Sequence, residues 1–183
     1  MSERLDRAIC YAVDAHRDNL RKVSNLPYIV HPMEVCSILS LMNADEDLMI
    51  AGLLHDTVEE AGVRLDEIEQ LFGSNVRELI NEHTEDKSRS WQERKQKNLD
   101  ILNTADYREK LLILADLVSN LRSMHHDYRT RGDALFSYFH AGKESLAWYY
   151  RSCRKELADL AEDAEAAPFV QEFSMLCDSL FSE

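Results

Sequence analysis

The stretch LMIAGLLHDTVEE, residues 48–60, decides the fold. Leu48, Met49, Ile50, Ala51, Leu53 and Leu54 are apolar almost all round a helix, which places this segment at the centre of a helical bundle. It starts near Glu46, after a turn at residues 43–45, and runs straight into His55, Asp56, Glu59 and Glu60. Ionisable groups at the end of so apolar a helix need partners, because a charge beside a core is costly without them.

The segments on either side extend the all-α reading. Leu5, Ala8, Ile9, Ala12, Val13 and His16 recur at helical spacing, giving a first amphipathic helix from residue 3 to about residue 20. Pro27 and Pro32 bracket an extended connector, PYIV, and Pro32 suits the first turn of a helix running from Met33 to about Met42. LDEIEQLF and NVRELINEHT read as two more amphipathic segments parted by Gly73. The polar stretch EDKSRSWQERK lacks apolar periodicity and reads as a mobile loop before a helix holding Leu99, Ile101 and Leu102. YREKLLILADLVSNLRSM is a strong helix, residues 131–160 give one or two aromatic-rich helices, and Pro168 starts the last.

The 183 residues fit one domain, spanning 1–183, with enough apolar content (45%) to bury a core without staples. A formal net charge of -13 argues against broad sequence-independent binding to nucleic acid, which needs a basic surface to displace counterions from phosphates. Cys10, Cys36, Cys153 and Cys177 form no CxxC pair and read as reduced core thiols of a cytoplasmic protein. The start MSERLDRAIC has no signal-peptide pattern, and no apolar run approaches the roughly 20 residues of a membrane span.

Asp116 raises the question of a partner again, flanked in LLILADLV by residues that belong in a core. Asn120 lies one turn on, on the same helix face. His31, between PYIV and Pro32, is a further candidate. A single histidine is more often a core or surface residue than a ligand, but H, then HD, then D beside apolar helices is far more specific. Two imidazoles and two carboxylates suit Mn, Fe or Zn better than Ca.

These motifs resemble the HD-domain metal-dependent phosphohydrolases, and among them the small stand-alone alarmone hydrolases of the RelA/SpoT-like group. The likeness is carried by RK with PYIVHP (21–32), AGLLHDTVEE (51–60), LFGSNVRELI (71–80), ERK (93–95) and LADLVSNLR (114–122), in the family's order. It implies a single-domain HD-type helical bundle that removes the 3′-pyrophosphate of guanosine tetra- or pentaphosphate, giving GDP or GTP and pyrophosphate. It also implies that His31, His55, Asp56 and Asp116 bind one divalent ion, Mn2+ in this group. Glu59 and Glu60 match the acids that position or deprotonate the attacking water. Arg21, Lys22, Asn120 and Arg122 match substrate-side positions. Two departures stand out: Glu60 replaces the group's usual Asp, and Ile113 and Leu117 occupy positions where the family commonly carries lysine.

The alternatives are an HD-domain nucleotidase acting on another nucleotide and a non-catalytic nucleotide-binding regulator. Monomer and homodimer are both compatible with the sequence.

Overall fold

The structure, a computed structural model, describes residues 2–182. Among these residues it is all-α, with helices throughout and a single isolated bridge, between Leu20 and Pro27, as its β pairing. None of the helices is long and apolar enough to cross a membrane. By backbone proximity the chain falls into two compact units, the first comprising the described residues to Arg21 with Asn25–Asp86, the second Lys22–Ser24 with the described residues from Lys87 onward.

The first unit holds α1 (Glu3–Ala15), α2 (Val30–Leu41), α3 (Glu46–Leu54), α4 (Thr57–Ala61), α5 (Leu65–Phe72) and α6 (Ser74–His83). As its composition predicts, α3 is central, packed against α1, α2 and α6, with Leu48, Ile50, Ala51, Leu53 and Leu54 at most 1% exposed. Asp45 caps α3 by accepting from the Leu48 amide at 2.9 Å, satisfying a donor that has no partner within the helix. Arg4 ties α1 to this cap region through Glu46 at 2.9 Å, Asp47 at 2.7 Å and the Phe72 carbonyl at 2.8 Å.

In the second unit are α7 (Trp91–Thr104), α8 (Tyr107–Arg131), α9 (Gly142–Glu156) and α10 (Ala167–Phe181), with 3-10 turns at Gly132–Tyr138 and Ala158–Glu162. The long α8 packs chiefly on α10 around Leu114, Ala115, Val118, Leu121 and Phe173, all fully buried.

Several boundaries differ from the sequence expectation. α1 stops at Ala15, because the chain turns at His16 and closes a hairpin-like loop in which the Tyr28 amide donates to the Asn19 carbonyl at 2.9 Å. The end of PYIV is helical: Ile29 already has right-handed helical angles, so His31 lies in the first turn of α2, with Pro32 beside it. The polar loop ends at Ser90, where a capping box with Glu93 starts α7 and draws WQERK into the helix. Cys153 and Cys177 are buried as expected, whereas Cys10 is exposed on the outer face of α1.

Candidate metal and phosphate site

Within the first unit, α2 carries His31 and the turn between α3 and α4 carries His55 and Asp56. His31 and His55 are 3% and 8% exposed, with ring centroids 5.3 Å apart. The Nε2 atoms of both rings face one oxygen, Asp56 Oδ2, at 3.5 Å from His31 and 3.2 Å from His55.

The proton of His55 can be placed by its other nitrogen. Nδ1 lies 2.8 Å from the Gly52 carbonyl oxygen, which can only accept, so Nδ1 carries the hydrogen and Nε2 of the neutral ring presents a lone pair. A lone pair and a carboxylate oxygen facing each other repel unless a cation lies between them. That cation is a proton or a metal ion, and the nitrogen and oxygen donors suit a borderline divalent ion. Burial alone would raise the Asp56 carboxyl. In their protonated form, with the proton as the cation between ring and carboxylate, His55 and His31 outweigh it and hold the group well below the ordinary carboxylate range.

Glu59 and Glu60 follow in α4, which Gly62 closes in the left-handed region at φ 71°. Thr57, fully buried, donates from its hydroxyl to the Leu54 carbonyl at 2.7 Å and pins the turn that presents Asp56. Glu59 accepts from the Glu85 amide at 2.5 Å, so its carboxylate is oriented from outside the helix. Glu60 is exposed, and its carbonyl accepts from the Asn19 side chain at 2.7 Å.

Of the substrate-side candidates, Arg21 lies with its guanidinium carbon 5.5 Å from the centre of the Tyr28 ring, and Lys22 is exposed in the following turn. In the second unit, Asp116 and Asn120 meet on one face of α8, where the Asn120 amide donates to Asp116 at 2.7 Å. Arg122 forms a two-pronged pair with Glu172 of α10, both contacts at 2.7 Å. Leu117 is 3% exposed and forms part of the α8 core, while Ile113 is half-buried.

Tyr28, His16 and Asn19 were missed by sequence reasoning. Tyr28 donates its hydroxyl to Asp56 Oδ2 at 2.8 Å. The available signal was a tyrosine between two apolar residues and a proline, three positions before a candidate ligand. His16 was read only as a buried position of α1, and at 1% exposure it is buried.

The fold and this site define an all-α protein in which two buried imidazoles converge on one carboxylate oxygen. The HD domain model matches residues 8–144, and the chain belongs to the HD-domain family. It is 39% identical over 117 residues to the guanosine-3′,5′-bis(diphosphate) 3′-pyrophosphohydrolase MESH1 of Drosophila melanogaster, covering 62% of this chain and 65% of that protein. It is 36% identical over 131 residues to the GTP pyrophosphokinase of Myxococcus xanthus, covering 67% of this chain and 17% of that enzyme. The chain thus spans just under two thirds of the first relative and a small part of the second. A solved structure described as a metazoan ortholog of SpoT that hydrolyzes ppGpp superposes with a TM-score of 0.82 at 27% identity, covering 98% of this chain and 96% of that one.

Proposed function

We propose that this chain is a metal-dependent phosphohydrolase that removes the 3′-pyrophosphate of guanosine tetra- or pentaphosphate, releasing GDP or GTP and pyrophosphate. The observation that carries the metal requirement is the convergence of the His31 and His55 Nε2 atoms on Asp56 Oδ2. The substrate reading is supported by MESH1 of Drosophila melanogaster, whose name states this reaction, and by the ordered motifs of the sequence. Both units take part in this reading as a single domain, supported by an HD-domain match that runs from the first unit into the second as far as residue 144.

The ligands are His31, His55 and Asp56, with Asp116 as the fourth and Mn2+ as the ion. When bound, a divalent ion supplies Lewis acidity, polarising a phosphate oxygen and making water acidic enough to attack near neutral pH. Glu59 and Glu60 orient that water and take its proton, a role that requires hydrogen-bond reach. The water oxygen bonds to the phosphorus nearest the ribose, the bond from that phosphorus to the 3′ oxygen breaks, and the 3′ oxygen takes up a proton. Arg21, Lys22, Asn120 and Arg122 are the substrate-side residues of this reading; the Arg21 guanidinium can pair with phosphate or stack on the purine, whereas that of Arg122 is paired with Glu172. Free thiols at all four cysteines support a reducing, cytoplasmic setting.

The test is incubation of purified protein with guanosine tetraphosphate and Mn2+, followed by chromatography of the nucleotides. Stoichiometric GDP and pyrophosphate are expected. His55→Ala and Asp116→Asn should each lower kcat/KM at least 100-fold, the upper end of what removing a mere supporting contact costs, roughly 10–100-fold. Intact tetraphosphate with Mn2+ demonstrably bound would refute the substrate assignment, and orthophosphate release from nucleoside monophosphates would favour the nucleotidase.

A further inference from the structure

Tyr28 contacts the cluster without being one of its proposed ligands or acids, and contacts on several sides fix it. Its hydroxyl donates to Asp56 Oδ2 at 2.8 Å, the oxygen that His31 and His55 also face. One neighbour of its ring is His16, stacked with centroids 5.0 Å apart and planes 29° apart; another is the Arg21 guanidinium, 5.5 Å from the ring centre. The Tyr28 backbone is held as well, its amide donating to the Asn19 carbonyl at 2.9 Å.

Asn19 also orients His16. Its side-chain nitrogen donates to the Glu60 carbonyl at 2.7 Å, which identifies that end of the amide as the NH2 group. The same nitrogen lies 3.5 Å from His16 Nδ1, a long contact in which Nδ1 accepts when the ring proton sits on Nε2. His16 is 1% exposed, and burial lowers its basicity, so the ring stacked on Tyr28 is the neutral one. Asn19 therefore joins three things: the backbone of Tyr28, the ring beneath Tyr28, and the backbone of the acidic residue Glu60.

A carboxylate on a short side chain turns about its terminal torsion, and its oxygens exchange unless something fixes the plane. A phenol donating to Oδ2 fixes that plane without adding charge. It also occupies one acceptor direction of Oδ2, so the oxygen is presented to a cation along the directions that remain.

We propose that Tyr28 is a positioning residue for the divalent ion, aiming Asp56 Oδ2 at the point where His31 and His55 converge, and that His16, oriented by Asn19, braces its ring. This rests on the metal reading given above. The role resembles that of groups around known metal sites whose loss costs roughly 10–100-fold in affinity.

The experiment is calorimetric titration of the metal-free full chain with Mn2+. Tyr28→Phe, which keeps the ring and removes one oxygen, should weaken Mn2+ binding roughly 10–100-fold while circular dichroism shows a cooperative thermal transition. Because Tyr28 acts through Asp56, the same change in an Asp56→Asn background should add nothing. His16→Ala should weaken binding and His16→Phe, which restores a ring beneath Tyr28, should recover it. Binding by Tyr28→Phe equal to wild type, an undiminished effect in the Asp56→Asn background, or a failure of His16→Phe to recover what His16→Ala lost would overturn the proposal. Wild-type protein that binds no Mn2+ overturns the metal reading itself, a result that the variants cannot mimic.

Discussion

At the residue scale, the same sequence feature can mean different things in different surroundings, and Leu117 and Ile113 show this. Both stand where related hydrolases commonly carry lysine, and from sequence alone they read as missing positive charge. Leu117 is 3% exposed in the α8 core, whereas Ile113 is half-buried. A lysine ammonium forced into the Leu117 position would lose its hydration or its proton. Leu117→Lys is therefore expected to cost about 2–5 kcal/mol, in the range of severe core substitutions, and Ile113→Lys under about 1 kcal/mol. Urea unfolding of the two variants checks the contrast; equal losses would show that burial does not separate the two positions. His55 teaches a related lesson. Its place in the HD pair was legible from sequence, but which nitrogen is presented depends on the Gly52 carbonyl 2.8 Å from Nδ1, a contact made only when α3 ends in a turn.

At the element scale, the separation of His31 and His55 is set by how closely α2 and α3 approach, and Gly52 governs that approach. A β-carbon added there would lie 2.5 Å from Leu39 Cδ1 and 3.2 Å from Val35 Cγ1, side chains that are fully buried in α2. Alanine would gain about 1 kcal/mol of helix propensity. Overpacking would cost about 1–3 kcal/mol, because neither neighbour can swing into solvent. Gly52→Ala should therefore be destabilising by about 1 kcal/mol, read as a lower urea midpoint, and should also weaken Mn2+ binding as the helices part. A rise in the midpoint would mean that Leu39 repacks without cost. Helix identities were legible because α3, α8 and α10 carry strong periodic or continuous apolar patterns. Boundaries were less so where a polar side chain, rather than periodicity, sets the start: Ser90 and Glu93 begin α7 by exchanging hydrogen bonds with each other's backbone. The loop holding Tyr28 was least legible, since its shape comes from the pairing of Asn19 with Tyr28 across eight intervening residues.

At the scale of the whole molecule, a formal charge of -13 meets a proposed substrate that is itself a polyanion. At 0.01 M salt the screening length is about 30 Å, so an approaching tetraphosphate feels most of the protein's charge; at 0.15 M it is about 8 Å, and only nearby groups count. Enzymes that draw anions in through a basic field lose kcat/KM as salt rises, because attraction at long range is screened first. Here the long-range field has the opposite sign, while Arg21 and Lys22, the proposed substrate-side cations, would act only at short range. Raising ionic strength from 0.01 to about 0.15 M should therefore increase kcat/KM for guanosine tetraphosphate, by a few-fold, with kcat unchanged. The increase should shrink for a substrate with fewer phosphates, since the repulsion scales with ligand charge. Initial-rate kinetics at constant Mn2+ activity, with a monovalent salt that does not compete for the ligands, makes the measurement. A steady fall in kcat/KM across the same range would mean that the basic groups dominate the approach, and that the acidic surface faces away from the path the nucleotide takes.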